Sequence, residues 1–184
     1  MTHESTLSTS AGPFTRADLD AMPDDGRRHE LIDGVLVVTP APAWRHQRIL
    51  LNLTLALRAA RPSGMTLLFA PFDVALAPDT VMEPDLLVGR TEDFTEKDLP
   101  TAPLLAVEVL SPSTRRFDLL VKKSRFEAAG CPSYWVVDPE GPRIVAWELR
   151  GERYEQVAEA TGDEALEVDA PYPVRIFAND LLAE

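Results

Sequence analysis

Cysteine is almost absent from this chain. Cys131 stands alone, which excludes an internal disulfide and any zinc site built on several thiolates. It reads as a small, partly buried apolar residue. Histidine is nearly as scarce. His3, His29 and His46 are all that a Ser–His–Asp triad could draw on, and no nucleophile-elbow pattern accompanies them. Walker A and dinucleotide-binding glycine patterns are also missing. No apolar run is long enough to span a bilayer, so no membrane partner is expected. Residues 1–13 are Ser/Thr-rich, with neither the basic start nor the apolar stretch of a secretory signal. They read as a disordered tail, and the cytoplasm as the default compartment. Positive charge is in deficit: 18 Lys and Arg against 30 Asp and Glu leave a net charge of −12. That balance disfavours non-specific nucleic-acid binding, which rests on Lys and Arg at phosphates. A bound metal ion or a local basic patch can offset it.

What is present suffices for one domain, residues 14–184, with a real core. Thr15 and Asp18 form an acidic variant of the capping box for a short helix from Phe14 to Met22. Pro23-Asp24-Asp25-Gly26 ends that helix with turn chemistry. Asp33-Gly34 joins strands over 28–32 and 35–39 in a tight hairpin. Ile49, Leu50, Leu53, Leu57 and Ala60 repeat at helical spacing across Trp44 to Ala60, with Trp44 covering the helix start. Strands follow at 65–70 and 72–77, and Glu83 to Val88 reads as another, with Pro84 near its start, where a missing N–H is tolerable. Leu104 to Leu110 is almost continuously apolar, as for a strand covered on both faces, yet it contains Glu108. Ser111-Pro112-Ser113-Thr114 links it to a helix from Arg115 to Ala129, and Ser133 to Val137 is the next strand. A right-handed crossover sets these two strands parallel. The remainder reads as β, with a short closing helix at 178–182. The pattern is that of an α/β fold with a mixed sheet.

The chemistry gathers around Glu108. A carboxylate inside an apolar strand is costly unless something pairs with it or coordinates it. Asp85 begins a neighbouring strand at a matching level. Two carboxylates so placed form a rigid platform for a hard divalent cation, with the Val109 carbonyl as a further ligand. Such a cation and a nearby amine can drive phosphodiester hydrolysis. Structural readings stand beside this one. Glu108 can face an arginine, Glu30 can pair with Arg27 or Arg28, and Asp118 with Lys122 can be an i,i+4 surface pair. His46 can be a capping or packing histidine, and Tyr134 and Trp135 core aromatics with polar handles. Arg115 and Arg116 suit phosphate contacts, since guanidinium groups bind phosphate bidentately. Their position at a helix start is electrostatically poor for stability alone.

Taken in order, Glu30-Leu31-Ile32-Asp33-Gly34, His46-Gln47, Pro84-Asp85-Leu86, the run from Glu108 to Thr114, Asp118 with Lys122, and Tyr134 to Pro139 resemble the Uma2 family. This family of endonuclease-like proteins was formerly a domain of unknown function and belongs to the PD-(D/E)XK nuclease superfamily. The resemblance implies a restriction-endonuclease-like core, a central mixed β-sheet flanked by helices and extra β-hairpins. It implies Asp85 and Glu108 as metal ligands for Mg²⁺ or Mn²⁺, and Glu30 as an acidic residue supporting the metal or its water. The superfamily lysine stands two residues after the second acid, where this chain has Leu110. The implied lysine has migrated to the following helix, with Lys122 at the matching position and Lys123 as the alternative. Together Glu30, Asp85, Glu108 and Lys122 are the expected catalytic residues, with Arg115, Arg116 and His46 on the substrate. The implied substrate is nucleic acid, DNA in the first instance. A homodimer follows from the need for two sites in double-strand cutting. The alternative is a catalytically weak or inactive module on the same fold, binding nucleic acid or a protein partner.

Overall fold

The computed structural model describes residues 12–23, 25–112 and 115–183. Most of the expected tail, Asp24 of the first turn, and Ser113 and Thr114 of the loop after Glu108 lie outside the described residues. Thr15 caps α1 (Arg16–Asp20) through the expected reciprocal box with Asp18. Strands β1 (Arg28–Ile32) and β2 (Val35–Thr39) form the predicted hairpin. Asp33 (φ 51°) and Gly34 (φ 75°) both take the left-handed conformation that a two-residue hairpin turn demands. Helix α2 (Trp44–Ala60) follows, ending before strand β3 (Met65–Phe69).

The middle of the chain alternates between two sheets. Strands β4 (Asp73–Ala77), β5 (Thr80–Met82) and the short β7 (Asp98–Leu99) join the first hairpin in a five-stranded sheet, order β2-β1-β5-β4-β7. Strands β6 (Leu86–Arg90), β8 (Leu105–Val109), β9 (Ser133–Asp138), β10 (Arg143–Arg150) and β11 (Arg153–Thr161) join β3 in a six-stranded sheet, order β11-β10-β9-β8-β6-β3. Only β8 and β9 in that sheet are parallel, as the crossover through the helix between them requires. Strands β12 (Ala165–Val168) and β13 (Val174–Phe177) make a separate hairpin.

Period-two alternation on β8 divides the core. Leu105, Val107 and Val109 pack with Ile49, Leu50, Leu53 and Leu57 of α2 on one face of the six-stranded sheet. Ala106 and Leu110 pack on the other face with Phe126, Tyr134, Ile32, Val74 and Met82, which ties the two sheets together. Glu108 lies on this second face, between the sheets, and is 1 % exposed.

Three expectations are corrected. The strand expected over Glu83 to Val88 begins only at Leu86, as β6; Glu83-Pro84-Asp85 is instead a crossing from β5 in one sheet to β6 in the other. Pro84 has no N–H for either ladder, so the crossing falls there. The helix expected from Arg115 to Ala129 is not uniform: a π-helical stretch, Phe117–Lys122, runs into α3 (Lys123–Ala128). Asp118 and Lys122, four residues apart in this stretch, both face the buried side, so they are not a surface pair. Trp44 does not cover the start of α2; it is 65 % exposed.

The inner and outer faces of α2 should respond differently to truncation. Leu53 is fully buried and Leu55 is 55 % exposed. Leu53→Ala is expected to lower unfolding free energy by ~2–5 kcal/mol in urea titrations, and Leu55→Ala to change it by no more than ~0.5 kcal/mol.

Candidate active site

The crossing segment and β8 meet. The Val109 backbone N–H donates to Asp85 Oδ2 at 2.8 Å, so Asp85 sits against the residue that follows Glu108. Two further groups hold Asp85: Arg28 Nη1 donates to Oδ1 at 2.9 Å and His46 Nε2 donates to Oδ2 at 3.0 Å. Arg28 also reaches Glu30 Oε2 at 3.8 Å. Lys122 Nζ lies between Glu30 Oε1 at 2.9 Å and Glu108 Oε1 at 3.1 Å. Glu30 Oε1 takes a second donor, the Glu83 backbone N–H at 2.8 Å. A continuous chain of contacts therefore runs His46–Asp85–Arg28–Glu30–Lys122–Glu108. The five-stranded sheet supplies Arg28 and Glu30, the crossing Asp85, α2 His46, the six-stranded sheet Glu108 and the π-helical turn Lys122.

Electrostatics follow from burial. Burial alone would lift the Asp85 carboxyl, but the His46 hydrogen bond and the charges of Arg28 and Lys122 outweigh it and hold Asp85 below the usual carboxylate range. Burial raises Glu108 well above that range, because Lys122 cannot offset both desolvation and the nearby Asp85, Asp118 and Glu30 charges. Glu83 is pushed up to about 7 by burial and by the Glu30 charge. Burial pulls Lys122 down, yet Glu108 and Glu30 more than compensate, and it stays charged well above the usual lysine value.

An open pocket of about 760 Å³ lies over this network, with Arg28, His46, Glu83, Asp85, Val109 and Asp118 in its lining. Glu30, Glu108 and Lys122 are fully buried and touch the lining from within. Arg115 is tied to Asp138 at 2.6 Å, Arg116 is exposed, and neither lines the pocket. Lys123 is turned away, its Nζ 4.0 Å from the centre of the Trp147 ring.

Sequence reasoning gave Arg28 only as a structural partner for Glu30 and left Glu83 without a role. Arg28 stands two residues before Glu30, and Glu83 two residues before Asp85. For Arg28 the available signal was strand alternation, which puts residues i and i+2 on one face; Glu83 lies in the crossing segment, where no such period applies.

Among the described residues, no three His, Cys, Asp or Glu side chains are arranged to hold a metal ion. The expected shell of Asp85, Glu108 and the Val109 carbonyl is not laid out ready-made. Lys122 stands between two of the carboxylates, and the Val109 group that meets Asp85 is its N–H. The donor set nevertheless suits a hard divalent cation. Glu30, Glu83, Asp85, Glu108 and Asp118 are buried carboxyl groups, more than Arg28 and Lys122 can neutralise. Glu30 Oε2 and Glu83 Oε2 are buried and accept no hydrogen bond. Surplus acidic oxygens at a pocket floor are what such a cation binds.

The fold matches a crystal structure described as that of a putative nuclease from Anabaena variabilis ATCC 29413. The TM-score is 0.71 over 93 % of this chain and 98 % of that chain, at 17 % identity. The architecture is thus restriction-endonuclease-like. The Uma2 family model, described as putative restriction endonuclease, matches residues 16–178, and the chain belongs to that family. No curated protein matches it.

Two measurements probe this network. Lys122→Met leaves Glu30 and Glu108 buried without their shared cation. Urea unfolding at pH 7 should show a loss of ~3–5 kcal/mol. Glu83 keeps its proton in the folded protein up to about pH 7 but releases it near its ordinary value of 4.5 when unfolded. The folded state therefore binds more protons between those values, and Glu83 lowers stability as pH rises through that window. In chelator, Glu83→Gln is expected to raise the melting temperature at pH 8 and leave it unchanged at pH 4.

Proposed function

We propose that this chain is a metal-dependent endonuclease that hydrolyses phosphodiester bonds of nucleic acid, DNA in the first instance. The observation that carries the reading is the gathering of Glu30, Glu83, Asp85 and Glu108 around two cationic side chains at the base of an open pocket. Asp85 and Glu108 are the proposed holders of Mg²⁺ or Mn²⁺, with the Val109 backbone beside them. Such an ion, when bound, offsets charge on the phosphoryl oxygens and lowers the pKa of a bound water.

The chain's own groups divide the remaining work. Asp85 stays ionised at neutral pH and so remains available as a ligand. His46 and the Val109 N–H fix its orientation. Lys122 takes the part of the migrated superfamily lysine. Because Glu30 and Glu108 keep it protonated, it is a poor base. Its role is to orient those two carboxylates and to offset negative charge as the phosphodiester is attacked. Leu110, at the usual lysine position, lies in the core and does no chemistry. The compartment consistent with this substrate is the cytoplasm.

A specific observation favours a second reading, a nuclease-fold module without catalysis. Arg28 and Lys122 already pair with Glu30, Asp85 and Glu108, so these three carboxylates have counter-ions without a bound metal. Both readings face the same experiment. Purified protein is incubated with DNA and with RNA in Mg²⁺, Mn²⁺ or EDTA, and metal uptake is measured by calorimetry. Cleavage only with metal is expected, with loss of at least about 100-fold in Asp85→Asn and Glu108→Gln, both folded by circular dichroism. Cleavage unchanged by both substitutions overturns the assignment of the site. No cleavage and no metal uptake selects the non-catalytic module.

A further inference from the structure

The first turn of α2, beside the pocket, carries a feature that the hydrolytic chemistry does not use. Trp44, the first residue of α2, is 65 % exposed. Its indole lies within reach of two guanidinium groups, with Arg45 Cζ 5.6 Å and Arg48 Cζ 5.4 Å from the ring centre. Arg27, Arg45, His46 and Gln47 line the pocket, and Trp44 and Arg48 stand beside it on α2, outside its lining. His46, two residues from Trp44, touches Asp85. Helix α2 carries Arg45, Arg48 and Arg58 and no acidic residue, in a chain whose net charge is −12. An exposed aromatic amid local positive charge thus stands on the helical turn whose Arg45, His46 and Gln47 line an acidic pocket.

We propose that Trp44, with Arg45 and Arg48, is a binding platform for single-stranded nucleic acid, on which an unpaired base stacks while its phosphates meet the arginines. This rests on the nuclease reading only for the direction in which the strand runs, toward Asp85. Charge complementarity selects a polyanion: α2 is basic where the chain as a whole is acidic. The indole selects a base. Stacking on an aromatic side chain needs a free base face, which a duplex interior does not offer. The pocket has the dimensions of a small-molecule site, and Asp85 at its floor is 3 % exposed. A flexible single strand can bend its backbone toward that floor more readily than a stiff double helix. A protomer that acts on one strand also needs no second site beside it.

The test is binding in EDTA, so that cleavage plays no part. Trp135 is buried and Trp147 half-buried beneath Lys123, and quenching of intrinsic fluorescence that disappears in Trp44→Ala reports Trp44. Single-stranded DNA and RNA oligonucleotides of one sequence are titrated beside the matching duplex and beside polyphosphate, which has charge without bases. The expected result is quenching by a single strand and weaker binding of duplex and polyphosphate. Trp44→Ala should weaken single-strand binding about 10- to 100-fold, and Trp44→Phe less. Arg45→Ala with Arg48→Ala should lower the salt dependence by about 1.4 in log–log slope, at roughly 0.7 per phosphate contact. Equal affinity of Trp44→Ala and wild type overturns the proposal, as does equal binding of single strand, duplex and polyphosphate. Fluorescence that changes with protein concentration in place of oligonucleotide assigns the face to a second copy of the chain and also overturns it. Failure here leaves the metal and cleavage measurements untouched, and their failure leaves this one untouched.

Discussion

One buried ammonium group holds the site together. Lys122 Nζ touches Glu30 on one sheet and Glu108 on the other, from a helix that connects the two parallel strands. Each of the three side chains is at most 1 % exposed. A charge this deep persists only with partners, so the position of each element depends on the other two. The π-helical turn belongs to the same constraint. Lys122 and Asp118 both lie on its inner side, and Tyr134 Oη donates to the Asp118 backbone carbonyl at 2.8 Å, bracing the wider turn against β9. Asp85 is coupled to this assembly through Arg28 and through the Val109 N–H.

The cluster also explains how an acidic site exists in a folded protein before any ion is bound. Arg28 and Lys122 serve as internal counter-ions, each shared between two carboxylates. They do not cover the whole charge. Glu83 and Glu108 are pushed toward their protonated forms, and two carboxylate oxygens accept no hydrogen bond. Stability has been given up at these groups, and it is here that the proposed divalent cation would act.

Much of this was legible in the sequence. Asp33-Gly34 marked its hairpin because only left-handed conformers make that turn. Helix α2 was read with its observed ends because its apolar residues keep helical spacing and Arg61-Pro62 stops it. Glu108 drew notice as a charge in an apolar strand, and Glu30, Asp85 and Lys122, grouped with it by resemblance, are brought together in space. Other features were hidden for physical reasons. A π-turn leaves no distinct periodicity in six residues. The sheet change at Glu83-Pro84-Asp85 depends on pairing partners far away in the chain, with β1 in one sheet and β8 in the other. Arg28 was noticed only as a possible partner for Glu30, since its second contact, with Asp85, crosses 57 residues.

The most direct test is to locate the ion. Crystals soaked in Mn²⁺ and measured at the manganese absorption edge should give an anomalous peak bridging Asp85 and Glu108, with the Arg28 guanidinium or the Lys122 amine withdrawn from at least one carboxylate. Saturating Mn²⁺ with no peak in that pocket, and all four side chains still paired as they are here, would contradict the assignment of these carboxylates as a metal site.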